Sequence, residues 1–218
     1  MNLFNSNSMI MRCFNFLADI FILHLLWLLY SLPIITIGAS TTALYYAMMK
    51  RIRTDEGTIF KNFHSSFLSN LKQATILWVF VVIISFLFVF DFRFCIALHN
   101  TVGNFMLFAC SLFVLPFIFT IIYLFPMQAK FQNKIIQTVK NAFFMSFLHI
   151  PYTLLLIFLF FAILISCLRS PLIMGFFLIC GIGFYSYVTS NIYIQVFRKY
   201  IPNEAEEDFE KSGRSMEW

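Results

Sequence analysis

Apolar residues run through this chain in long blocks rather than in the alternating or one-sided patterns of a water-soluble fold. Five blocks, at roughly 14–37, 74–92, 105–125, 151–168 and 172–197, carry almost no charge. A helix needs about 20 mostly apolar residues, each rising about 1.5 Å, to cross the hydrocarbon of a bilayer. Backbone N–H and C=O groups find no water there, so each block is predicted to be helical. Only Leu168-Arg169-Ser170-Pro171 separates the last two blocks, which predicts a tight hairpin. The expected fold is an all-α membrane bundle of about five transmembrane helices in one domain, 1–200, followed by an acidic tail, 201–218.

Two of the intervening segments have a one-sided pattern. In 58–73, Phe60, Phe63, Phe67, Leu68 and Leu71 recur at helical spacing, with Lys61, His64, Asn70 and Lys72 at other positions. In 130–147, Phe131, Ile135, Val139 and Ala142 do the same, away from Lys130, Lys134, Gln137 and Asn141. Both are predicted to be amphipathic cytoplasmic helices. Lys61, Lys72, Lys130, Lys134 and Lys140 would be interfacial, near anionic headgroups or on a docking surface for a cytoplasmic partner.

The first block is irregular. Pro33 and Gly38 interrupt it, and 39–49 continues apolar and helical beyond one crossing. The expectation is one span broken near Pro33 and extended by a second helix toward the cytoplasm, with a re-entrant segment as the alternative. Ala39, Ala43 and Ala47, four residues apart, mark a face for close helix packing, as do Ser186 and Ser190. The break also returns in altered form: Leu32-Pro33-Ile34-Ile35-Thr36 resembles Leu115-Pro116-Phe117-Ile118-Phe119-Thr120, and Lys61-Asn62-Phe63 resembles Lys140-Asn141-Ala142-Phe143. These pairs suggest a parallel internal repeat.

Composition agrees with a lipid environment. Of 218 residues, 61% are hydrophobic and 11% charged, and 31 are Phe, more large rings than a soluble core of this size could bury. The net charge of +5 would raise nucleic acid as a partner if the charges were clustered on one soluble face, but they sit at the ends of the apolar blocks. Twelve of the 15 Lys and Arg fall in 50–73, 126–149 and 198–214, against Arg12, Arg93 and Arg169 elsewhere. By the positive-inside rule those three segments face the cytoplasm, and the N-terminus is expected on the opposite side.

The chemistry on offer is sparse. Asp19 and His24 are the ionisable groups inside a span, and such groups usually carry function. Five residues apart, they project about 140° from each other, a poor geometry for a metal pair or one-face relay. With Thr36 they form a candidate polar pathway, and the break at Pro33 to Gly38 is the other candidate site, because discontinuous helices expose backbone groups to solutes. The structural alternatives are an Asp19 reaching the outer interface, a neutral His24 bonded to another helix, and a kink satisfied by nearby hydroxyls. Cys13, Cys95, Cys110, Cys167 and Cys180 lack metal or redox spacing and read as packing residues. No nucleophile elbow, phosphate loop, HExxH or paired-carboxylate arrangement occurs, so neither enzymatic activity, a cofactor nor a metal is expected.

At Ser31-Leu32-Pro33-Ile34-Ile35-Thr36-Ile37-Gly38-Ala39-Ser40, Ala43-Leu44-Tyr45, Phe60-Lys61-Asn62-Phe63 and Asn70-Leu71-Lys72-Gln73-Ala74-Thr75, the chain resembles the YesL-like family of bacterial integral membrane proteins, most clearly over 10–80. The resemblance implies a multi-pass protein of the bacterial cytoplasmic membrane, of unknown function and often associated with carbohydrate uptake and breakdown. It supplies no catalytic residues. Two functional readings remain: a non-catalytic accessory of solute uptake that associates with lipid, transporter subunits or itself, and a small transporter or channel working through the broken first helix.

Overall fold

The computed structural model describes residues 9–54, 58–98, 100–131 and 133–200, of which 9, 10, 12 and 13 are described by backbone alone. The Arg12 and Cys13 side chains, the Asp55-Glu56 pair and the acidic tail 201–218 fall outside this description. Among the described residues eight helices succeed one another: α1 (Met9–Tyr30), α2 (Ile37–Arg53), α3 (Ile59–Ala97), α4 (Thr101–Lys130), α5 (Ile135–Leu148), α6 (Ile150–Arg169), α7 (Pro171–Phe176) and α8 (Ile182–Phe197). A 3-10 turn, Ile34–Thr36, precedes α2, and a π-turn, Phe177–Gly181, joins α7 to α8. No strand occurs among the described residues. Among the described residues four stretches are long and apolar enough to cross a membrane: 59–97, 101–130, 150–169 and 171–197. With 14–30 as a shorter apolar helix, the chain is an all-α membrane protein.

Helix boundaries coincide with the local breakers. α3 runs for 39 residues, about 58 Å, because nothing from 59 to 97 is Gly or Pro. The amphipathic segment 58–73 is therefore not a separate surface helix but the start of the helix that contains the predicted span. Phe63 and Phe67 are buried, whereas Phe60 and Leu68 are more than half exposed. The buried line continues through Ala74, Leu77 and Val81, so packing selects a narrower stripe than the sequence pattern offers. The second amphipathic segment is cut at both ends, by 131–134 and by His149 before Pro151, and forms α5. Pro151 lacks the N–H for Phe147 and disfavours the helical region for the residue before it.

α2 is the internal helix. Gly38, Ala39, Ser40, Thr42, Ala43, Leu44, Tyr45, Ala47, Met48 and Met49 are all buried on it. Its small residues let neighbours approach: a Cβ on Gly38 would lie 2.6 Å from the Ala74 carbonyl and 2.6 Å from the Trp78 Cβ. Ala39, Ala43 and Ala47 join Ile20 and Leu23 of α1 and Phe63, Phe67 and Ala74 of α3 in one cluster. A second cluster joins Tyr45 and Met49 to Leu77 of α3, Tyr123 and Phe125 of α4, Met145 of α5, Leu156 of α6 and Tyr193 of α8. The outer halves of α3 and α4, by contrast, expose Phe86, Phe90, Phe105, Phe108 and Phe113. Such a surface fits lipid and is costly in water.

The path of α1 and α2 corrects one expectation. Trp27 Nε1 donates to Thr41 Oγ1 at 3.1 Å, Arg51 Nε donates to Asp19 Oδ2 at 2.6 Å, and the Arg51 guanidinium lies over the Phe16 ring. The two helices therefore form an antiparallel hairpin, with the start of α1 beside the basic end of α2. α1 thus starts on the side of Arg51, not on the opposite side as the charge count implied. Asp19 accordingly does not sit at an outer edge. The count failed because the turn between the helices is only 31–36 long, is mostly apolar and carries no charge.

Candidate functional site

The break after Tyr30 is closed from within. Pro33 has no N–H to offer Leu29, and the helix ends. Thr36 Oγ1 then lies 2.7 Å from both the Tyr30 and the Pro33 carbonyls, and Trp78 Nε1 donates to the Ile34 carbonyl at 2.9 Å. Ser40, Thr41 and Thr42 return their hydroxyls to carbonyls four residues earlier, Thr36, Ile37 and Gly38. Ser31 Oγ is buried without a hydrogen-bond partner among the described residues. The hydroxyls that the sequence offered as solute ligands are thus largely committed to the backbone of the break itself.

A related solution is found at three other irregular points. Pro126 in α4 leaves the Ile122 carbonyl without its helical donor, and the buried Tyr193 hydroxyl of α8 supplies one at 2.7 Å. At the π-turn, His24 Nε2 is 2.9 Å from the Leu178 carbonyl; a carbonyl only accepts, so Nε2 carries the proton. At the α4–α5 connection, Gln73 Nε2 reaches the Asn133 carbonyl and Gln128 Oε1. Gln128 also donates to Asn70 Oδ1 at 3.1 Å and accepts from Thr138 Oγ1 at 3.1 Å. In a low-dielectric interior an unpaired carbonyl is expensive, so each donor stabilises an irregular backbone.

Asp19, His24 and Thr36 are not brought together. Asp19 pairs with Arg51, His24 with the π-turn, and Thr36 with its own turn. Ala39, Ala43 and Ala47 are at the α2 core, and Ser186 and Ser190 are fully buried on α8. Lys61, Lys72, Lys134 and Lys140 are exposed and Lys130 is half-buried. Cys95 and Cys180 are buried, Cys110 and Cys167 half-buried, and all four are free thiols. Among the described residues no cluster of three or more His, Cys, Asp or Glu could hold a metal.

Sequence reasoning missed Trp78, Tyr193, Gln73 and Gln128. Each is a polar-tipped residue within or beside an apolar block, the one available signal, but its partner is 44 to 71 residues away.

Outside the spans, His149 Nε2 lies 2.9 Å from the Tyr200 hydroxyl, fastening the α5–α6 junction to the end of α8. Burial, and then the nearby Lys199 charge, hold its pKa below the ordinary 6.5.

The break, the internal helix and most of the α3 helix packed on it lie within one matched stretch. Residues 20–92 match DUF624, described as a protein of unknown function. YesL-like proteins are DUF624, so the resemblance drawn from the proline–glycine stretch is borne out. The DUF624 region ends within α3; α4 to α8, which complete the core around α2, lie beyond it. No curated protein and no solved structure matches the chain.

Proposed function

We propose that this protein is a non-catalytic component of the bacterial cytoplasmic membrane that assembles with other membrane or cytoplasmic proteins of solute uptake. The bacterial membrane, and carbohydrate as the solute class, rest on the likeness to YesL-like proteins. The observation that carries the non-transporting role is the commitment of Asp19, His24 and Thr36 to three separate internal contacts. A solute pathway needs polar groups that converge on one space and exchange partners with a passing ligand. Here His24 and Thr36 bond to backbone carbonyls and Asp19 to the Arg51 guanidinium. The exposed lysines of α3 and α5 supply a surface for anionic lipid or a cytoplasmic partner.

The test is purification of the tagged full chain from its native membrane in a gentle detergent, followed by identification of the proteins that stay bound. Recovery of a transporter subunit is the expected result. Recovery of the chain alone, together with sugar flux in liposomes that contain only this protein, would replace this reading with that of a small transporter.

A further inference from the structure

His24 is fully buried, its Nε2–H is spent on the Leu178 carbonyl, and its Nδ1 has no partner among the described residues. The carbonyl it meets belongs to the π-turn Phe177–Gly181. A π-turn holds one residue more than the α-helical turn it replaces, and its ladder is the weaker one. Two glycines fit the backbone to this site. On Gly183 a Cβ would lie 2.6 Å from the Ile20 carbonyl and 3.2 Å from the His24 Cβ, so α8 is pressed against α1 in one register. On Gly181 a Cβ would collide with the Phe177 ring, which folds over the turn.

Beyond the turn, α7 is free of such constraints. Leu172, Ile173, Met174 and Phe176 are exposed, and nothing lies within 4 Å of the Gly175 Cβ direction. We infer that His24 is the latch of a register switch: its hydrogen bond holds the extra residue in the π-turn, and its release lets 177–181 relax to α-helix. Because α8 is fixed by Gly183, the rotation falls on α7, which turns by one residue, about 100°, and presents a different face to lipid or to a membrane partner. His24 acts as a positioning residue, linking the hairpin of α1 and α2 to the surface of α7.

The test uses the full chain in lipid nanodiscs, with the native cysteines replaced and single spin labels placed in turn at residues 171–176. Oxygen accessibility along these positions gives the lipid-facing direction of α7. In His24→Leu the accessibility maximum is expected to move by one position. In His24→Gln, which keeps an N–H donor, it should stay where the parent protein has it. Deleting Ile179 removes the extra residue, so that deletion alone should leave the α7 pattern unchanged, and combined with His24→Leu it should return the pattern to the parent's. An unshifted pattern in a folded His24→Leu protein overturns the proposal. If His24→Leu does not fold, His24→Met and His24→Ala, which also lack the donor, are read in the same way, and an unshifted pattern in either folded protein overturns the proposal.

Discussion

Two stretches with nearly the same residues take different courses. At Leu32-Pro33-Ile34-Ile35-Thr36 the chain leaves one helix, makes a 3-10 turn and doubles back; at Leu115-Pro116-Phe117-Ile118-Phe119-Thr120 α4 continues through the proline. Proline removes the same hydrogen bond in both. The residues just after the proline decide the outcome. Thr120 stands four residues after its proline and returns its hydroxyl to the Pro116 carbonyl at 2.7 Å, as a helical residue does. Thr36 stands three after and reaches both Pro33 and Tyr30, which fastens a turn. Gly38 then lets α2 lie against Ala74 and Trp78, where the second stretch has Ile121 at the matching place.

The largest effect is expected at that glycine. The Ala74 carbonyl is backbone and cannot move aside, so Gly38→Val should destabilise the fold by about 3 kcal/mol, the upper end for overpacking, and lower the thermal midpoint in detergent. An unchanged midpoint would mean that the close approach of α2 and α3 does not distinguish the two stretches. A smaller effect separates the threonines. Thr36→Val removes a donor shared by two carbonyls and should cost about 1 kcal/mol, within the range for hydrogen bonds between membrane helices. Thr120→Val leaves a regular helix behind and should cost less than about 0.5 kcal/mol. Equal losses in chemical denaturation would break the comparison.

The smallest effect is expected at another contrast: α3 runs unbroken past Asn70 to Lys72, whereas the helix after α4 is cut at His149, before Pro151. His149 titrates below its ordinary 6.5 in the folded chain, so the folded state binds fewer protons than the unfolded one. Its contribution is fully present above the unfolded value and is lost as pH falls through the lower folded value. Acidification from about pH 7 to about pH 5 should therefore lower the melting midpoint. In His149→Gln that slope should flatten, and an equal slope in both proteins would exclude this histidine as the cause.

Much of the fold could be read from hydrophobic blocks because lipid imposes a strict rule: apolar stretches of sufficient length must be helical and closed in their own hydrogen bonds. That rule yielded the all-α class, the hairpin at Ser170 and the break at Pro33. It failed at the start of α1. A charge count assigns sides to segments, but the reversal at 31–36 is held by Trp78 reaching Ile34 and by Gly38 lying against Ala74, contacts between distant positions. The candidate site was legible only as a set of polar letters. Asp19 was visible, but its contact with Arg51 joins positions 32 residues apart through a fold that no local pattern encodes.

Length and hydropathy thus determined by themselves that this chain is a bundle of membrane helices. Only the tertiary structure decided which distant side chain meets a carbonyl at these irregular points: Trp78 for Ile34, Tyr193 for Ile122, His24 for Leu178. The reason is physical. A helix satisfies its own backbone from neighbouring residues, so its presence is a local property, whereas a carbonyl freed by proline or by a π-turn must be met by whichever distant helix packs beside it.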